Sequence, residues 1–149
     1  MVDTEAVREH LLTERRATVE GVLACADRVD DDWDGDGTTD RERVVEPFES
    51  VLRASGLFES FPALLAECVD RAGADLSARP VAGPPYVVVT SVGVLLRATL
   101  PTGRLVVTLR AFAVDRSEEG SGGRSGERPR YVRGPTTPED AVSVDLRAR

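Results

Sequence analysis

The chain has 149 residues, 19 of them basic and 26 acidic, for a formal charge of −7. That length is enough for one domain with its own hydrophobic core and no covalent staples. Two cysteines, Cys25 and Cys68, with no CxxC or Cys/His cluster give no indication of a zinc site, and the longest apolar runs, YVVV and VGVLL, fall far short of the roughly 20 residues a membrane-spanning helix needs.

The start, MVDTEAVREH, is polar and acidic, without the basic-then-apolar order of a signal peptide, so a cytoplasmic chain is expected. Asp3 or Thr4 can cap a helical segment whose apolar positions include Val7, Leu11, Val19, Val22, Ala26 and Val29. Its 3.6-residue phase is clean from Val22 onward and interrupted near Arg15, so the first turns are expected to be more solvated. His10, the only histidine, is expected at the surface beside Glu9 and Glu14.

A second helix is predicted in TDRERVVEPFESVLRASG. Thr39 and Glu42 match a capping box, Val44, Val45, Phe48, Val51 and Leu52 share a face, and Gly56 fits a left-handed stop. Pro47 conflicts with an unbroken ladder, and the continuous apolar phase favours a kinked helix over a restart. The third helix, Phe61 to Ala72, has the clearest stripe: Phe61, Leu64, Leu65, Cys68, Val69 and Ala72, ended by Gly73.

Residues 74–84 form a connector, after which the period becomes two. Tyr86 to Thr90 reads as a strand. Val94, Leu96, Ala98 and Leu100 then alternate with Leu95, Arg97 and Thr99, and Leu105, Val107, Leu109 and Ala111 alternate with Arg104, Val106, Thr108, Arg110 and Phe112. This is a hairpin with one apolar and one mixed face. Aligning the apolar faces requires an even-length loop, and Pro101 at the second position of a turn predicts four residues, Pro101 to Arg104, with Leu100 opposite Leu105. Residues 116–128, RSEEGSGGRSGER, are too rich in Gly, Ser and charge to pack and are expected to be disordered. Tyr131 to Arg133 is a short strand, and Val142, Val144 and Leu146 alternate as a closing one.

The expected fold is therefore α+β, a single domain over 1–149. A helical half (3–73) of about three helices packs on one face of an antiparallel sheet of four to five strands in a sheet half (85–147). Charge divides along the same line. Residues 1–76 hold 8 arginines against 19 acids, a net of −11, whereas residues 77–149 hold 11 against 7, a net of +4.

The stretch DDDWDGDGTTDRE, residues 30–42, is the one place where residue type and spacing point to a cation. Calcium takes six to eight oxygens from a flexible loop with alternate aspartates and a glycine at the sharp turn. Asp32, Asp34 and Asp36 occupy the first, third and fifth places, Gly37 the sixth, Thr38 the seventh and Asp40 the ninth. The segment resembles the DxDxDG calcium loops of the EF-hand and dockerin families, which implies calcium or magnesium held by Asp32, Asp34, Asp36, Thr38 and Asp40. It departs from them at the twelfth place, where Arg43 stands instead of a bidentate glutamate. Glu42 is one residue early, about 100° away on a helix. The competing reading is a solvated acidic turn between two helices, with no cofactor.

Arg97, Arg104 and Arg110, with Phe112, are expected to project together from the mixed hairpin face. That combination can hold a protein partner or, by phosphate contact and base stacking, single-stranded nucleic acid. No nucleophile is paired with a base, no glycine loop cradles phosphate, and no triad is present, so an enzyme is not expected.

All 19 basic residues are arginine, and Lys, Asn, Gln and Ile are absent. This GC-rich codon usage with acidic excess resembles the uncharacterised small acidic proteins of halophilic archaea, a high-GC actinobacterium being the alternative. Negative charge keeps such a protein hydrated where molar salt shortens the Debye length to about 3 Å. The reading that follows is a non-enzymatic cytoplasmic protein, a protein-interaction module first, a divalent-metal binder second and a nucleic-acid binder third.

Overall fold

A computed structural model describes residues 2–33, 35, 37–76, 78–115 and 129–147. The segment 116–128, expected to be disordered, lies outside the described residues, as do Asp34 and Asp36.

The fold is α+β. Helix α1 (Thr4–Leu12) begins where the Asp3 carboxylate accepts the Ala6 N–H at 3.0 Å. The interrupted phase near Arg15 is a true break, because α2 (Arg16–Asp30) starts anew after a turn at Thr13–Arg15. Helix α3 (Glu42–Ala54) runs through Pro47, as the apolar phase predicts. Its start differs from the predicted capping box. The Asp40 carboxylate accepts the Glu42 N–H at 3.0 Å, and the Thr38 hydroxyl accepts the Asp40 N–H at 3.1 Å, so the capping oxygen comes from Asp40 and not from Thr39. Gly56, at φ 85°, turns the chain into α4 (Leu57–Arg71), one turn longer than expected.

The strands form two antiparallel sheets where one was expected. The larger has the order β2-β3-β4-β7, with β2 at Val87–Val89, β3 at Gly93–Leu100, β4 at Gly103–Arg110 and β7 at Val142–Arg147. The smaller has the order β1-β6-β5, with β1 at Gly37–Thr38, β5 at Phe112–Asp115 and β6 at Arg130–Arg133. A short helix, α5 (Pro138–Ala141), leads into β7.

The β3–β4 register pairs Val94 with Leu109, Leu96 with Val107 and Ala98 with Leu105, so the apolar faces align and the loop length is even. The loop has two residues and not four, because Leu100 pairs with Gly103. Gly103 extends the ladder where a side chain would not fit: a Cβ there would lie 2.5 Å from the Arg147 carbonyl oxygen on β7. The inner face, with Val94, Leu96, Ala98, Leu105, Val107 and Leu109 all buried, is covered by α1, α3 and α4.

The second sheet arises from a bulge. Ala111 and Phe112 both donate their N–H to the Val92 carbonyl, at 2.8 and 3.0 Å, so two residues of one strand oppose one of the other. The extra residue reverses the alternation. Phe112, expected on the open face beside the arginines, is instead fully buried, 5.0 Å edge-on from Phe48 and 5.8 Å from Trp33.

Candidate functional site

The two candidate regions differ in how their polar groups are used. In the acidic loop, α2 ends at Asp30 and β1 pairs with β6, Gly37 against Val132 and Thr38 against Tyr131. A Cβ at Gly37 would fall 2.5 Å from the Tyr131 carbonyl, so only glycine permits this strand pairing. Trp33 is buried, and its indole N–H donates to the Arg43 carbonyl at 3.1 Å. That carbonyl lacks its helical donor because the residue four positions on is Pro47, which has no N–H. The indole supplies the missing hydrogen bond and joins the loop to α3.

Of the predicted metal ligands, Asp32 and Asp40 are exposed and Thr38 half-buried. Arg43 donates to the Asp32 carbonyl at 3.1 Å, which sets its guanidinium beside the first ligand position. The Asp40 carboxylate caps α3. Among the described residues, no three His, Cys, Asp or Glu side chains are grouped closely enough to hold a metal.

The outer face of the larger sheet is arranged otherwise. Register places Thr99 opposite Arg104 and Arg97 opposite Val106, so Arg97 and Arg104 are diagonal neighbours near the hairpin end. Arg110 stands opposite Gly93 at the far end, six residues and about 20 Å along the strand from Arg104. The structure therefore joins Arg97 and Arg104, separates Arg110, and removes Phe112 to the core.

It adds residues that the periodicity did not reveal. A cavity of about 340 Å³ is lined by Arg97, Thr99, Arg104 and Tyr86 on its sheet side. Leu76, Ala78 and Pro85 of the connector form its apolar wall. The Arg97 backbone N–H donates to the Tyr86 carbonyl at 2.8 Å, which seats Tyr86 beside the cluster.

Neither guanidinium on this cavity has an ion-pair partner among the described residues, and the Arg97 Nε is fully buried without an acceptor. A buried donor left unmet costs about 1–3 kcal/mol. Arg104 also stands opposite Arg147 in the β4–β7 register, which puts two exposed like charges at the same end of this face. Asp145, opposite Val106, is the one carboxylate that register places on this face among the described residues.

His10 corrects a further expectation: it is buried and not on the surface. It shares the apolar stripe of α1 with Val7 and Leu11, a spacing visible in the sequence. Its Nε2 donates to Glu67 Oε1 at 2.9 Å, since a carboxylate only accepts. Arg15 closes on both oxygens of the same carboxylate, at 2.6 and 2.6 Å. These hydrogen bonds, Arg15 foremost, hold the Glu67 carboxyl below its ordinary range against the opposing effect of burial. Arg71 pairs with Glu14 at 3.0 Å, completing a network that ties α1 to α4. Both cysteines are free and buried, and burial pushes the Cys68 thiol up to about 12. No helix among the described residues is long and apolar enough to cross a membrane.

Comparison with known proteins finds no match among curated proteins and none among solved structures. One family does match, over residues 5–147, nearly the whole chain: the chain belongs to the family described as a domain of unknown function, DUF7988.

Proposed function

We propose that this domain is a non-catalytic cytoplasmic interaction module that docks an acidic segment of a partner protein on the outer face of its larger sheet. The observation that carries the reading is that Arg97 and Arg104, on the outer face of the larger sheet away from α1, α3 and α4, have no ion-pair partner among the described residues. Paired positive charges stabilise the fold they belong to, whereas unpaired ones at a cavity favour an external anion. A protein partner is preferred to single-stranded nucleic acid because Phe112 is buried in the core and Tyr86 alone is left as an aromatic among the residues that line the cavity.

A non-catalytic role is supported by the reactive side chains that could otherwise serve. The Cys68 thiol is buried and raised far from neutrality, and the His10 ring is closed off with its Nε2 committed to Glu67.

The test is a titration of the isotope-labelled chain with a glutamate-rich peptide at low ionic strength, followed by backbone amide shifts. Saturable changes confined to Arg97, Thr99, Arg104 and their β2 and β7 neighbours are expected, weakening as salt rises. Changes confined to the helices would overturn the reading. So would tighter binding of a single-stranded oligonucleotide of equal charge, which would put nucleic acid in the partner's place.

A further inference from the structure

The cavity has two chemically different walls. Arg97, Thr99 and Arg104 present donors on one side, and Leu76, Ala78 and Pro85 present hydrocarbon on the other. Its volume of about 340 Å³ lies at the low end of small-molecule sites and is ample for a small group with a short stem. An arginine fork matches a planar carboxylate with two parallel N–H···O bonds. The Arg97 Nε is buried without an acceptor, although the fold supplies acceptors for other arginines of similar burial, Arg133 among them.

We infer that this cavity is a carboxylate subsite. Arg97 and Arg104 take the two oxygens of one carboxylate, the Thr99 hydroxyl serves as a further donor, and the aliphatic stem lies against the connector wall. The inference rests on the reading of the open sheet face as partner-facing and narrows it to one chemical group. That group has two sources, a glutamate side chain of a partner protein or a free small carboxylic acid, and both carry the same head and stem.

The experiment uses the full chain at low ionic strength with three probes: butyrate, inorganic phosphate and a tetraglutamate peptide. Each is titrated into the native protein, Arg97→Met and Arg104→Met, with binding and thermal midpoint both recorded. Butyrate is expected to saturate, to bind more tightly than stemless phosphate, and to lose at least tenfold in affinity in Arg97→Met and severalfold in Arg104→Met. The thermal midpoint supplies an independent reading. Without ligand, Arg97→Met keeps the volume and removes an unmet buried donor, so its midpoint should equal or exceed that of the native chain.

A lowered midpoint in Arg97→Met, or butyrate affinity unchanged by it, overturns the subsite. Phosphate binding tighter than butyrate overturns the role of the apolar wall. Peptide binding that survives Arg97→Met while butyrate fails to saturate sinks the subsite and leaves the docking face standing. Butyrate binding without any peptide binding keeps the subsite, assigns it to a free acid, and sinks the docking face.

Discussion

Arg133 and Arg97 each lie on a strand of one of the two sheets, and the fold treats them in opposite ways. Arg133, on β6, donates to the carbonyls of Ala111, Pro135 and Leu23 at 2.5, 2.7 and 3.1 Å and pairs with Asp27 at 2.9 Å. Arg97, on β3, has its Nε buried and meets no acceptor. The first guanidinium staples α2 to the bulge that starts the second sheet. The second brings the fold no side-chain hydrogen bond or ion pair among the described residues. The same residue type is structural where the chain surrounds it with oxygen and is left without a partner where it does not.

Substitutions along this scale test the contrast. Arg133→Met should have the largest effect, a loss of about 3 kcal/mol in the free energy of unfolding, from the removal of several charge-assisted bonds to largely buried carbonyls. Chemical denaturation of Arg133→Met beside Arg97→Met measures both ends of the scale. Equal destabilisation of the two would erase the distinction.

The network around Glu67 comes next, and its signature is pH dependence. The folded-state pKa of Glu67 is depressed, so the stability it contributes is present above the unfolded value of about 4.3 and is lost as pH falls through the lower folded value. Glu67→Gln should therefore be less stable near neutrality and should lose less stability than the native chain between that range and stronger acid. Parallel curves of denaturation midpoint against pH would show that Arg15 and His10 contribute nothing through this carboxylate.

Arg43 is the weakest member of the series, exposed and holding a single bond to the Asp32 carbonyl. Arg43→Glu should change stability by only about 0.5 kcal/mol. It also places a carboxylate at the twelfth position of the loop, so terbium luminescence sensitised by Trp33 should rise above that of the native chain. An unchanged signal would mean that loop geometry, and not the arginine, limits cation binding.

Much of the architecture was legible because it is written in local periods. The stripes of α3 and α4 and the alternation in β3 and β4 as far as Leu109 follow from side chains a few residues apart, whereas in β7 Val142 is buried and Leu146 is exposed. What escaped depends on distant groups. The bulge at Ala111 and Phe112 needs the Val92 carbonyl, and the two-residue hairpin loop needs room at Gly103 against β7. Neither is visible in its own strand. The apolar wall of the cavity comes from a connector without periodicity, so Leu76, Ala78 and Pro85 could not be tied in advance to Arg97. His10 was readable from its spacing to Val7 and Leu11, but the expectation that a lone histidine is solvated prevailed over that phase.

The indole that reaches across to the third helix has a consequence for how this sequence can vary. A proline within a helix ordinarily leaves a dry carbonyl one turn back; here a side chain from outside the helix fills the vacancy. Positions 33 and 47 thus share one fate. An amide restored at 47 would make the aromatic donor redundant, and an aliphatic residue at 33 would turn a tolerated proline into a liability, so the two should be exchanged together or not at all.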